Sequence, residues 1–311
     1  AGDDDIQGQT GNDIISTGEG NDTIYGGLGD DAITIDGSGV KTINGGGGTD
    51  TLTTTYSGIS SLGDFTITYD SSTSYTTFTD SNSGVVSFKD IENSTVGDYT
   101  YIEDTDNDTF WNATEYVLYM YDGGSTSSSD ITGLSGFSAS KNLTVRGSPL
   151  ADYMNLNIDR SSELTGNLTL IMGAGDDSLG AYKPKNGDSV DMGAGDDSVG
   201  IMATGSNGTP TIANLSLTLL DGGAGTDELQ FGNSGSNTTE LTLTTGNATN
   251  FENIAGTSGA ETIKGDANAN TLYGQDGADT LYGYAGNDFL VAHGNNSFRE
   301  NSDDDSVSVS T

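Results

Sequence analysis

The 311-residue chain has no cysteine, three prolines, one tryptophan, one histidine and only nine lysines and arginines. Without cysteine, no disulfide can staple the fold and no thiolate can serve as nucleophile or soft-metal ligand. The lone histidine, His293, rules out an H-E-x-x-H zinc site and leaves any Ser-His-Asp triad dependent on one residue. It lies beyond the last repeat and reads as an end cap. No G-x-S-x-G elbow occurs, and the Gly-rich loops carry Asp where a phosphate loop carries Lys. No run approaches the roughly 18 apolar residues of a membrane span, and the opening "AGDDDIQGQ" has neither the basic start nor the apolar stretch of a signal peptide. Nine basic residues against 46 acidic ones give a formal charge of −37, which excludes nucleic acid and anionic membrane as partners. Only 32% of residues are hydrophobic, little for a globular core of this length.

What the chain has instead is glycine, 47 residues of it, set at regular intervals. "GGLGDDAIT" (26–34) returns as "GGGGTDTLT" (45–53), "GAGDDSLG" (173–180), "GAGDDSVG" (193–200), "GGAGTDELQ" (222–230) and "GQDGADTLY" (274–282). In blocks of nine, the opening reads Asp4/Ile6, Asp13/Ile15, Asp22/Ile24 and Asp31/Ile33. The register then slips by one residue to Lys41/Ile43, and Asp50/Leu52 follows. A second run reads Glu261/Ile263, Asn270/Leu272, Asp279/Leu281 and Asp288/Leu290. Paired acids such as Asp176 and Asp177 imitate a glycosidase pair, but they stand inside these turns, which favours metal ligation.

Each block is a six-residue half-turn that bends tightly on its glycines, then a short strand with one apolar side chain turned inward. Two blocks make one coil of about 18 residues, so Asp4 stacks on Asp22 and Asp13 on Asp31. Stacked carboxylates repel one another unless a cation lies between them. Oxygen-only ligation, without His or Cys, suits calcium; magnesium demands a smaller octahedral shell and is the weaker candidate. The candidate carboxylate ligands are Asp4, Asp13, Asp22, Asp31, Asp50, Asp177, Asp197, Asp227, Asp279 and Asp288. The candidate carbonyl ligands are those of Gly11, Gly20, Gly27, Gly29, Gly46, Gly48, Gly173, Gly175, Gly193, Gly195, Gly223, Gly225, Gly277 and Gly286.

The phrases "GGLGDDAIT" and "GGGGTDTLT" resemble the G-G-x-G-x-D-x-U-x nonapeptide of RTX proteins, and "FENIAGTSGAETIKG" (251–265) resembles the way RTX arrays begin. The resemblance implies a calcium-binding β-roll, an extracellular location and type I secretion. It is silent on biological role, since toxins, proteases, lipases, adhesins and surface-layer proteins share the array. The tail "NSDDDSVSVST" (301–311) resembles the uncleaved export signals of such proteins; a frayed terminus is the alternative. Three positions depart from the pattern. Lys41 stands where a ligand Asp belongs, its ammonium either neutralising Asp22 in place of a metal or lying in solvent. Glu261 and Asn270 mark a first coil of the last array that binds weakly or caps it.

The expected fold is all-β: a parallel β-solenoid with calcium-binding RTX β-roll segments near both ends. Residues 1–53 form the first roll, 54–255 a wider solenoid with scattered calcium turns, 256–291 the second roll, and 292–311 a cap and tail. Within 54–101, the alternating Thr/Tyr/Val runs read as hairpins or wider rungs. "ATEYVLYMYDGG" (113–124) reads as core and Trp111 as a packing anchor. The chain begins in mid-repeat, which reads as the trailing part of a precursor or a processed product. The functional expectation is a non-enzymatic, secreted, calcium-dependent protein of the cell surface that self-assembles as a homopolymer into a layer, sheath or filament, with cell-surface polysaccharide as a second class of partner. An RTX adhesin segment and the C-terminal folding array of a larger secreted hydrolase are the alternatives.

Overall fold

The computed structural model describes residues 2–55, 65–70, 72–80, 84–96, 99–103, 107–111, 115–120, 125–127, 131, 138–158, 160, 162–202, 218–232, 240–242, 248–294, 296–300 and 306–310. The side chain of Trp111 lies outside the described residues. The chain divides into two compact units, Ala1–Tyr121 and Asp122–Thr311.

The first unit opens with six short strands: β1 (Asp5–Thr10), β2 (Ile14–Thr17), β3 (Asp22–Leu28), β4 (Ala32–Ile35), β5 (Val40–Gly47) and β6 (Thr51–Thr54). Odd strands stack on odd and even on even, all parallel, so the chain climbs one coil for every two blocks. Side chains alternate across a strand, and the one apolar residue of each block points inward. Ile6, Ile24, Ile43 and Phe88 form one column, and Ile15, Ile33 and Leu52 the other. Ile24, Ile43 and Leu52 are fully buried, each contributing about 1.5–3 kcal/mol of burial. A core only two side chains wide explains how so polar a sequence folds. The slipped register resolves in the turn before β5: Asp22 lies beside Lys41, and Ala32 beside Thr51.

The rest of this unit contains β7 (Phe65–Asp70), β8 (Tyr75–Asp80), β9 (Val85–Lys89), β10 (Asn93–Val96), β11 (Tyr99–Glu103), β12 (Asn107–Trp111) and β13 (Glu115–Met120). β9 and β10 continue the two parallel ladders. β7–β8–β9 and β10–β11–β12–β13 then run antiparallel. Hairpins, rather than wider rungs, are therefore what the alternating Thr/Tyr/Val runs form. These segments lack the Gly-rich half-turn that would redirect the chain into another coil, and each strand instead pairs antiparallel with its neighbour in sequence. The apolar stretch of β13 is core as expected, with Tyr116 and Leu118 buried.

The second unit is parallel throughout its described strand pairs. One ladder joins β15 (Asn142–Arg146), β17 (Leu168–Ile171), β19 (Ser189–Asp191) and β21 (Leu219–Asp221). A nine-stranded ladder joins β14 (Ser125–Ser127), β16 (Tyr153–Asn155), β18 (Ser178–Tyr182), β20 (Ser198–Met202), β22 (Glu228–Gly232), β24 (Asn253–Ala255), β26 (Thr271–Gln275), β28 (Phe289–His293) and β30 (Ser306–Ser310). The third joins β23 (Glu240–Thr242), β25 (Thr262–Lys264), β27 (Thr280–Tyr284) and β29 (Ser297–Glu300). Met154, Leu179, Val199, Leu229, Ile254, Leu272 and Leu290 stack into one inward column. The ladder continues past Val291, where the nonapeptide pattern ends, because β29 pairs with β27 and β30 with β28. The tail segment Ser306–Ser310 is thus a rung of the sheet. No helix among the described residues is long and apolar enough to cross a membrane.

Candidate metal centre

Every predicted glycine ligand, from Gly11 to Gly286, has a positive φ, the conformation that turns successive carbonyls to the inside of the bend. Where another residue takes the place two before the turn's second glycine, the geometry persists: Gln9, Gln275 and Tyr284 have φ of 74, 65 and 67°. Left-handed backbone outside glycine costs about 1 kcal/mol or more, so the surrounding coils impose it.

The sixth-position carboxylates form columns laced by backbone hydrogen bonds. The Asp13 amide donates to Asp31 Oδ1, the Asp31 amide to Asp50 Oδ1 (both 2.8 Å), and the Asp50 amide to Glu92 Oε2 (2.6 Å). In the second unit, the amide of Asp152 donates to Asp177, Asp177 to Asp197, Asp197 to Asp227, and Asp227 to Glu252, at 2.7–2.8 Å. Sequence spacings of 25, 20, 30 and 25 residues thus converge on one column. The fifth position runs a ladder in the opposite sense. The Asp196 amide donates to Asp176 Oδ1 (2.9 Å), and the Asp30 amide to Asn12 Oδ1 (3.0 Å). Asp176 is thereby occupied as a structural acceptor.

These bonds use Oδ1 of Asp31, Asp50, Asp177, Asp197 and Asp227, and the Glu261 amide donates likewise to Asp279 Oδ1. Oδ2 of Asp13, Asp31, Asp50, Asp177, Asp197, Asp227 and Asp279 is buried without a hydrogen-bond partner. A buried, unpartnered anionic oxygen is costly, and seven of them in equivalent turns call for a cation. Burial pushes Asp177 up to about 7, with Asp197, Asp152 and Asp176 adding repulsion against the Asp152 amide bond. Burial likewise raises Asp197 and Asp279 to about 6, and it raises Asp50 and Asp227. Among the described residues, no three His, Cys, Asp or Glu side chains converge on one point. A cation held here would have to draw most of its shell from turn carbonyls, and such an all-oxygen donor set would fit the flexible shell of calcium. Some predicted carbonyls also serve the ladder: Gly173 and Gly193 accept from the amides of Ala194 and Ala224.

Other turns are closed from within. Asp22 Oδ2 lies 2.9 Å from the Lys41 ammonium, with both side chains fully buried. Lys41 therefore does not extend into solvent. Its ammonium also donates to the carbonyls of Gly18 (2.7 Å), Gly20 and Ser38 (3.2 Å). Burial would raise Asp22, but the hydrogen bond and charge of Lys41, with the Asp4 amide, hold it below the usual carboxylate range. Asp152 takes the amide of Ser148 and, at 3.1 Å, its hydroxyl. Glu261 takes the amide and hydroxyl of Thr257, and Asn270 the amide of Asp266 (2.8 Å). The predicted ligand Asp4 lies exposed on the first coil. His293 is half exposed, with Asp276 at 3.4 Å.

Sequence reasoning missed three groups. Glu92 and Glu252 accept the last amide of their columns, and the shared phrase "EN" in "DIEN" and "FENI" was the available signal. Gly8, Gly45 and Gly274 stand five residues before Asp13, Asp50 and Asp279; a Cβ on them would lie 2.6–2.7 Å from the free Oδ2. The motif's first glycine therefore makes room for the carboxylate, while its φ is unremarkable. Asp188 and Arg160 (2.6 Å) had no signal, because the arginine lies outside any repeat.

The RTX calcium-binding nonapeptide repeat matches residues 1–33 and 255–290, in four copies. No curated protein matches the chain. Among solved structures, the extracellular lipase LipA from Serratia marcescens aligns over 89% of this chain and 33% of its own, at 17% identity and a TM-score of 0.28. This chain thus spans about a third of that lipase, and the likeness is too slight to bear on fold or activity.

Proposed function

We propose that the RTX calcium-binding nonapeptide repeats, present at both ends of this chain, serve a secreted structural protein that folds on calcium outside the cell. The observation that carries this reading is the set of seven buried Oδ2 atoms without partners, those of Asp13, Asp31, Asp50, Asp177, Asp197, Asp227 and Asp279. In calcium-poor cytosol these carboxylates repel, and the net charge of −37 keeps the chain extended and fit for a narrow export channel. Outside, each ion joins two acidic strands of backbone through carboxylate and carbonyl oxygens, so binding free energy becomes folding free energy. The reading assigns the chain no catalysis.

The finer role that we favour is assembly into an extracellular layer, sheath or filament at the cell surface. Its support is the edge formed by β1 and β2. Among the described residues each pairs on one side only, and Ile14 on β2 is 90% exposed. An open parallel edge recruits further strands, supplied either by a longer polypeptide or by a second copy, and repeated head-to-tail contacts between copies give fibres or lattices. The test is circular dichroism and light scattering of the secreted protein, first in chelator and then in millimolar calcium. A gain of β-structure with growth into polymers is expected. Folding into a monodisperse monomer would retain the calcium reading and favour the adhesin or hydrolase-array role. Unchanged dichroism would reject both.

A further inference from the structure

The turn of Asp22 contains its own cation. In the first unit, the Asp4–Asp22–Lys41 column on the odd strands and the Asp13–Asp31–Asp50 column before the even strands share spacing and glycine pattern, and both lace the amide of one coil to Oδ1 of the next. In the second column Oδ2 of Asp31 has no partner; in the first, the Lys41 ammonium sits among Asp22 Oδ2 and the carbonyls of Gly18, Gly20 and Ser38. Gly18 and Gly20 stand four and two residues before Asp22, as Gly27 and Gly29 stand before Asp31. The ammonium thus takes up the carboxylate and turn carbonyls that the other column leaves for a metal.

We propose that Lys41 is a tethered counter-ion that closes this turn to calcium, so that the coil from Asp4 to Lys41 is partly ordered before the metal arrives. The proposal rests on the calcium reading of the other turns. A second arrangement in the other unit repeats the chemistry independently. Asp188 stands at the equivalent place beside Leu168, whose amide it accepts (2.9 Å). The Arg160 guanidinium, largely buried, bridges Asp188 Oδ1 (2.6 Å) and the carbonyl of Gly166 (3.1 Å), and the Lys185 ammonium takes the carbonyl of Thr165. Again a basic side chain of this chain, one of only nine, is spent on turn carbonyls and a buried Asp. A lysine carries one charge and cannot leave, so its turn loses the metal's dependence on concentration and on chelators.

The test is residue-resolved hydrogen exchange on the full chain, with calcium counted by equilibrium dialysis. In chelator, the amides of Asp4, Gly20 and Thr23, whose acceptors belong to the Lys41 column, should exchange more slowly than those of Asp31 and Thr51, which belong to the open column. Lys41→Asp restores an Asp–Asp–Asp column, and it should bind one more calcium than the parent and lose the chelator-resistant protection. Equal exchange of the two columns in the chelated parent would overturn the proposal, as would unchanged stoichiometry in Lys41→Asp. A parent that binds no calcium overturns the calcium reading beneath it, and dialysis of the parent alone separates that failure from this one.

Discussion

Two columns of turns run through residues 2–55, one along the odd strands and one along the even, and they differ in how negative charge is met. One column keeps Oδ2 of Asp13, Asp31 and Asp50 buried and unpartnered; the other matches Asp22 with Lys41 at 2.9 Å. The difference lies in one residue, since Lys41 occupies the place that Asp50 holds in the neighbouring column. It teaches that one substitution changes the charge balance of a column while its lacing bonds are kept. The lacing bonds have the same lengths to within 0.3 Å, 3.1 Å for Asp4 and 2.8 Å for Asp13 and Asp31. What varies is whether the charge balance is internal to the chain or borrowed from solution.

Removing calcium should therefore separate the columns most visibly. Chelation is expected to abolish most of the β-signal in far-ultraviolet dichroism, because the seven unpartnered Oδ2 atoms are then left unmatched. The change should reverse on adding calcium back. Retention of the full signal in chelator would erase the contrast between the columns.

Substitutions sharpen the comparison at a smaller scale. Asp22→Ala leaves the Lys41 ammonium buried with carbonyls alone. Breaking one side of a buried pair costs about 3–5 kcal/mol, discounted here to about 1–3 because the solenoid is thin and solvent is near. Thermal melts should show this loss with and without calcium. Asp31→Ala should destabilise the calcium-loaded protein and leave the chelated protein equal or slightly stabilised. Identical calcium dependence of the two variants would count against the assignment.

Acid should partly replace calcium. Asp177 at about 7, and Asp197 and Asp279 at about 6, all lie above their unfolded value of 3.8. The folded calcium-free chain therefore holds more protons than the unfolded one between about pH 4 and pH 7, and its stability falls as pH rises through that window. Asp22, held below 3.8, has the opposite sign; its contribution is present above the unfolded value and is lost as pH falls through the folded one. Dichroism in chelator should thus show β-signal partly recovering as pH falls from 7 toward 5, and a flat profile would refute the burial of these carboxyls. The smallest expected effect is that of Gln275→Gly. It relieves about 1 kcal/mol of left-handed strain at φ 65°, partly offset by added freedom in the unfolded chain. The net gain should stay below about 1 kcal/mol in a denaturant titration.

The repeat was legible because its period and chemistry are local. Nine-residue spacing placed Ile24 and Ile33 inward, and the paired glycines announced the positive φ of Gly27 and Gly29. The hairpins of residues 65–120 were only half legible, since alternating Thr, Tyr and Val suit a parallel rung and an antiparallel strand equally. The self-satisfied turns of Asp152 and Asn270 were hidden for another reason. Whether a side-chain oxygen points at its own turn or into the space between coils depends on a bond to Ser148 or Asp266, and no periodicity records it.

By itself the sequence determined the coil: glycine and aspartate set the turn, one apolar residue per block set the inward face, and both act within nine residues. Only the tertiary structure decided which charges meet. The column from Asp152 to Glu252 gathers residues 20 to 30 apart in sequence, and Lys41 reaches back to carbonyls 21 and 23 residues away. The reason is physical: the electrostatic balance of a buried carboxylate is struck between stacked coils, and stacking exists only once the chain has wound.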